Sequence, residues 1–203
     1  MNIRRKPSHH YFIALSLPQE VKRELSMQSR MLHDRLSFRK WTHPEDLHIT
    51  LVFLGTVEEE KLEPIREELM EIAERHSPFA LAASGLGTFG PSQNPRVLYS
   101  VVYGERDALA RLAEDTIGRM DKLGFPAESR PYSPHITLAR RYEGLSDPSG
   151  SIREVTEEEL ACSFGWTADS ITLYRSHPGE SPLYEPCFLA PFAEREKREN
   201  HFV

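Results

Sequence analysis

Two histidine–threonine pairs carry the chemistry this chain could do. Leu47-His48-Ile49-Thr50-Leu51 and Pro134-His135-Ile136-Thr137-Leu138 repeat the tetrad His-Ile-Thr-Leu 87 residues apart. Displacement at phosphorus without a metal wants two such pairs. One group takes a proton from the attacking oxygen and another gives one to the leaving oxygen, and an imidazole with an ordinary pKa of about 6.5 can do either near neutral pH. The threonine hydroxyls can donate hydrogen bonds to the non-bridging phosphate oxygens. A lone strand histidine beside a threonine is ordinarily a surface or packing residue; it is the duplication that points to one site made of two halves.

The pairs need strands to present them. Each copy lies in an apolar, β-branched run bounded by turn residues, Pro44 and Gly55 for the first and Pro134 and Gly144 for the second. Alternation sets His48 and Thr50 on one face and Ile49, Leu51 and Phe53 on the core side. It splits His135 and Thr137 from Ile136 and Leu138 in the same way.

Around these strands the chain alternates elements. Tyr11 to Leu17 reads as a strand, and Pro18 opens a helix whose apolar face is Val21, Leu25, Leu32 and Leu36. Thr56 with Glu59 predicts a capping box for a helix with Leu62, Ile65, Leu69 and Ile72 inward, ending near His76 and split or kinked at Pro64. Phe79 to Leu86 and Arg96 to Tyr103 read as an antiparallel hairpin with a long connection, and Arg106 to Leu123 as a helix stopped by Gly124. Thr156 with Glu159 predicts a second capping box on a short acidic helix reaching Leu160, followed by strands at Ser170 to Arg175 and Tyr184 to Leu189. Residues 1–10 and 193–203 carry no apolar period and read as loose tails, with His9-His10 solvent-exposed rather than metal-binding. The order is that of an α+β protein with an approximate internal duplication.

Composition bounds the function. With 203 residues, 39% hydrophobic and 28% charged, the chain can bury a real core. Its longest apolar runs, Phe12 to Leu17 and Ile49 to Leu54, fall far short of the roughly 20 residues of a membrane span. No secretory leader is legible, so the reading is cytoplasmic. Cys162 and Cys187 lack ligand spacing and read as buried thiols. A net charge of −6 argues against broad duplex binding but not against gripping one phosphate. Arg39, Lys40, Arg130, Arg140, Arg141 and Arg175 lie in or beside the motif segments and could supply that grip.

Beyond the tetrads, Phe12 to Pro18, Trp41 to Gly55, Gly85-Leu86-Gly87-Thr88-Phe89, Glu128 to Arg140 and Leu173-Tyr174-Arg175-Ser176 extend a likeness over nearly the whole chain. With these flanks the sequence resembles the 2H phosphoesterase superfamily, and within it the bacterial and archaeal RNA 2′,3′-cyclic phosphodiesterases, also called 2′-5′ RNA ligases. The resemblance implies one inseparable bilobal domain over residues 1–203, two antiparallel sheets backed by helices with pseudo-two-fold duplication around a central cleft. It implies His48 as general acid and His135 as general base, with Thr50 and Thr137 on the phosphate oxygens. Arg140 matches a family arginine near the phosphate, although strict alternation turns it away from His135, so a bulge or strand end must redirect it. Arg175 and Tyr174 are further candidates from the last of these segments. Many relatives carry lysine where this chain has Val52.

Trp41 and Tyr132 flank the tetrads and could stack a base. The implied partners are RNA ends bearing a cyclic phosphate, with no metal, no cofactor and no membrane, and a monomer suffices. Two other classes stay open: a 2H phosphodiesterase for 2′-5′ oligoadenylates or small cyclic nucleotides, and a non-catalytic RNA-binding module.

Overall fold

The structure, a computed structural model, describes residues 9–126, 128–145, 152–158 and 163–194. In chain order the elements are β1 (His10–Ser16), α1 (Gln19–His33), β2 (Leu36–Trp41), β3 (His48–Thr56), α2 (Glu59–Arg75), β4 (Phe79–Phe89), β5 (Val97–Gly104), α3 (Arg106–Lys122), β6 (His135–Leu145), α4 (Ile152–Glu158), β7 (Ser163–Ala168), β8 (Ser170–Ser176) and β9 (Tyr184–Pro191). The fold is mixed α and β, and every strand pairing among the described residues is antiparallel.

The strands run in the order β7-β4-β5-β6-β3-β1-β8-β9, with β2 also paired to β6. The tetrad strands β3 and β6 therefore meet in the middle, each flanked by the strand that opens its own half, β1 or β5. They touch through a single pair, Ile49 with Ile136, which joins the two expected antiparallel sheets into one. Both isoleucines are fully buried, as are Leu15 and Leu98 on the flanking strands. Burying each such side chain contributes about 1.5–3 kcal/mol, and this seam fixes the two histidines relative to one another. The helices cover the core face: Leu25 and Leu32 of α1, Ile65, Leu69 and Ile72 of α2, and Leu109 and Leu112 of α3 are all fully buried.

Several local expectations change. Neither capping box forms. Thr56 closes β3 and pairs with His10, and α2 starts after Glu58 without a side-chain cap. Thr156 sits inside α4 with its hydroxyl donating to Arg153 O, and Glu159 lies outside the described residues. Pro64 falls within an unbroken α2. The strands β2 and β7 have no counterpart in the sequence reading, because each is a six-residue strand paired to a single neighbour, β6 or β4, by a register its own short pattern does not contain. At the ends, His10 belongs to β1, and the Ala193 N–H donates to the carbonyls of Ala73 (3.1 Å) and His76 (3.0 Å). Residues 1–8 and 195–203, and Cys162, lie outside the described residues.

Candidate active site

The turn before β3 sets the first imidazole. Pro44–Asp46 forms a single 3-10 turn, whose Glu45 is gripped by Lys22 of α1 through both carboxylate (2.9 Å) and carbonyl (3.2 Å). The next residue, Asp46, is nearly buried, and its carboxylate accepts the backbone N–H groups of Leu183 (2.9 Å) and Tyr184 (2.9 Å) at the start of β9. With its own position fixed in this way, the Asp46 carbonyl lies 2.6 Å from His48 Nδ1. A carbonyl can only accept, so Nδ1 carries the proton and Nε2 is left to face Thr50 Oγ1 at 3.0 Å.

The second half repeats the device. His135 Nδ1 lies 2.8 Å from Ser133 O, again the carbonyl two residues back. Aromatic rings wall both imidazoles: Phe12, Tyr174 and Tyr184 around His48, and Phe89 and Tyr99 around His135. A Cβ at Gly87 would come within 2.5 Å of the Tyr99 ring, so any other residue there would push that ring from its place beside His135. Burial holds the His48 pKa at about 4; the positive charges of Arg140, His135 and Lys22 add to this, and only the Asp46 carbonyl opposes it. Burial lowers His135 too, with Arg140 acting in the same direction.

A shared bulge completes both half-sites. In β3, Thr50 faces Ala14 and Val52 faces Ile13, so Leu51 is the extra residue; in β6, Thr137 faces Tyr99 and Ala139 faces Leu98, so Leu138 is. Leu51 and Val52 are both buried, as are Leu138 and Ala139, and the alternation resumes one step out of phase. This returns Arg140 to the His135 face, where its Nη2 donates to Thr137 Oγ1 at 3.3 Å. The same bulge overturns the expectation for Phe53, which is 53% exposed, stands 6.0 Å from Phe12 and leaves the core side to Val52 and Leu54.

His48, Thr137 and Arg140 line one cleft with Lys40, Trp41 and Tyr184. Val52 points into the core, so the cations that line the cleft are Lys40 and Arg140. Trp41 borders the cleft but packs largely against the core, with its ring 5.6 Å from His33. Four candidates do not line this cleft: His135 stands on β6 two residues before the lining Thr137, Thr50 meets the lining His48 at 3.0 Å, and Tyr132 and Arg175 are turned elsewhere. Tyr132 packs on the core with its hydroxyl buried and unpartnered among the described residues. Arg175, next to the cleft-facing Tyr174 but on the other face of β8, is held by Glu185 at 2.5 Å. Sequence reasoning named Lys40 among the cations that could grip a phosphate and missed Asp46, Tyr184, Tyr99 and Phe89. Phe12 and Phe53 carried a signal, an aromatic beside each strand's polar face, but reading it required the bulge.

A family model described as LigT like Phosphoesterase matches residues 15–99 and 102–184. The chain belongs to this family. The LigT-like assignment is supported by an RNA 2′,3′-cyclic phosphodiesterase of Geobacillus stearothermophilus, 39% identical over 90% of this chain; the match spans 57% of that protein, just over half its length. A Bacillus subtilis protein of the same name is 35% identical over 88% of this chain and 94% of its own length. Among solved LigT-like structures, a protein of Thermus thermophilus has a TM-score of 0.72 at 26% identity, covering 92% of this chain and 100% of its own. Escherichia coli LigT complexed with 3′-AMP has a TM-score of 0.74 at 23% identity over 93% of this chain and 100% of its own, and shares the fold. Among the described residues, no helix is long and apolar enough to cross a membrane.

Proposed function

We propose that this chain hydrolyses the terminal 2′,3′-cyclic phosphate of RNA to a 2′-phosphate, with His135 as general base and His48 as general acid. The observation that carries this reading is the matched state of the two imidazoles, each with its Nδ1–H spent on a carbonyl two residues back and its Nε2 left to exchange a proton with substrate. A water oxygen attacks phosphorus as His135 takes its proton; the P–O3′ bond breaks and His48 gives its proton to O3′. Thr50, Thr137, Arg140 and Lys40 supply hydrogen bonds and positive charge to the non-bridging oxygens. An anionic phosphate beside His48 favours the imidazolium and offsets the burial that holds it at about 4 in the free protein. With an RNA 5′-hydroxyl in place of water, the same displacement makes a 2′-5′ linkage. The names of the Geobacillus and Bacillus relatives support the substrate.

One observation favours exchanged roles. His48 has the strongly lowered pKa, which suits a base better than an acid near neutral pH. In that reading water is activated beside His48, and the phosphate stays on the other oxygen.

Turnover of a nucleoside 2′,3′-cyclic phosphate and of an RNA carrying that end tests the activity. Replacing His48 or His135 by Ala is expected to remove about 10²-fold to 10⁴-fold of rate. The double variant is expected to lose far less than the product of the two, because the pair acts as a unit. Near-normal turnover by either single variant overturns the proposal. Activity is expected to survive EDTA; loss restored by a divalent cation would make the histidines metal ligands.

A further inference from the structure

Beside the two cations of the reaction cleft stand three more that the proposed chemistry does not use, Arg39, Arg96 and Arg141. Lys40 and Arg140, which line the cleft, are cross-strand partners on β2 and β6. On the other side of β6, Arg140 pairs with Val97, and the Arg141 N–H donates to the carbonyl of Arg96 at 3.0 Å. Arg141 turns the chain there in the left-handed region, with φ 63°. Arg39, Lys40, Arg96, Arg140 and Arg141 are thus gathered where β2, β6 and β5 adjoin, and all five are exposed.

None of the five makes an ion pair among the described residues, whereas some arginines elsewhere do: Arg66 with Glu63, Arg75 with Glu71, and Arg175 with Glu185. In a chain of net charge −6, five neighbouring cations without an ion pair among the described residues are a local concentration of positive charge. Two of the five, Lys40 and Arg140, line the phosphate cleft, and the strand register sets the others next to them in the sheet. A nucleotide whose 2′ and 3′ oxygens are closed in the cyclic phosphate can extend only from its 5′ oxygen, so any further chain leaves the cleft on its 5′ side.

We infer that the adjoining ends of β5, β6 and β2 form a track for the phosphodiester backbone of single-stranded RNA, in which Arg96 and Arg141 hold phosphates on the 5′ side of the reacting nucleotide. The track rests on the proposed activity and assigns the preference for a strand over a mononucleotide to two residues outside the cleft, Arg96 and Arg141. Contacts to phosphate make it indifferent to sequence and sensitive to salt.

The test compares wild type with Arg96→Glu/Arg141→Glu on cytidine 2′,3′-cyclic phosphate and on a single-stranded oligoribonucleotide ending in the same nucleotide. Wild type is expected to favour the oligonucleotide. The double variant is expected to lose about tenfold or more of kcat/KM on the oligonucleotide alone, with its salt slope reduced by about one per arginine. Arg96→Lys/Arg141→Lys is expected to restore most of the preference, and unchanged turnover of the mononucleotide reports that the fold is intact. Fluorescence anisotropy with the same RNA ending in a 3′-phosphate separates the two ideas. Absence of wild-type turnover on both substrates refutes the proposed activity, whereas RNA affinity that is unchanged in the Glu double variant refutes the track.

Discussion

Phe53 and Arg140 occupy equivalent positions in the two half-sites, each five residues beyond its tetrad histidine and each returned to the cleft face by a bulge at the same step of its strand. One half therefore offers an aromatic face where the other offers a guanidinium, an asymmetry that suits a ligand with a base at one end and a phosphate at the other. Phe53→Ala is expected to weaken binding of nucleotide substrates by about 1–3 kcal/mol, the worth of one base stacked on an aromatic ring. The loss belongs in KM and disappears with ribose 2′,3′-cyclic phosphate, which has no base. Arg140→Ala is expected to lower kcat by about 10² or more, with Lys only a partial substitute because it lacks the planar fork. Equal effects of Phe53→Ala on both substrates refute the division of labour.

Burial of His48 makes stability depend on pH in a definite direction. Its folded pKa of about 4 lies below the ordinary value of about 6.5, so the unfolded chain binds the proton more readily. Stability from this residue is therefore fully present above pH 6.5 and is lost as pH falls towards 4, by on the order of 3 kcal/mol at most. His135, lowered by the same cause, acts with the same sign. Urea unfolding at several pH values is expected to show His48→Gln losing less stability than wild type across this window. Parallel curves for the two proteins would mean that the His48 pKa is not depressed.

The tetrads, the helix faces and the antiparallel α+β order were legible because they rest on periodicity, which is local. His48, Thr50, His135 and Thr137 share a face by alternation alone, and Ile49 and Ile136 are buried for the same reason. Phe53 was misplaced because a bulge is set by cross-strand register, which one strand's pattern does not contain. The need for a bulge was visible only at Arg140, where a charged side chain stood out of phase. Tyr184 and Asp46 were missed because their meeting joins positions 138 residues apart through backbone N–H groups, on which side-chain identity leaves no mark.

That meeting is itself testable. The Asp46 carboxylate holds the start of β9 while its carbonyl orients His48, so the two ends of one residue couple Tyr184 to the imidazole. Asp46→Ala leaves two partly buried N–H groups without their acceptor and is expected to destabilise the protein by about 1–3 kcal/mol. Because the main-chain carbonyl remains, the protonated nitrogen of His48 is expected to stay Nδ1 by nitrogen-15 NMR, with KM raised more than kcat is lowered. A switch of tautomer in that variant would show that the carboxylate, not the carbonyl alone, sets the imidazole.

The order of acid and base is decided by the product. In-line displacement expels the oxygen opposite the nucleophile, so water activated by His135 with His48 protonating O3′ must leave phosphate on the 2′ position. Rate is expected to follow a bell-shaped curve in pH whose limbs belong to the pair rather than to either residue. Thr50→Val and Thr137→Val are expected to lower the rate while leaving the limbs in place, since the hydroxyls stabilise charge without titrating. Phosphorus NMR of the product against authentic 2′- and 3′-monophosphates gives the answer directly. A predominant 2′-phosphate supports His48 as the acid, with the bound phosphate raising its pKa from about 4. A predominant 3′-phosphate assigns the base to His48, the role its depressed pKa favours in the free protein, and reverses the direction in which the cyclic end lies across the two strands.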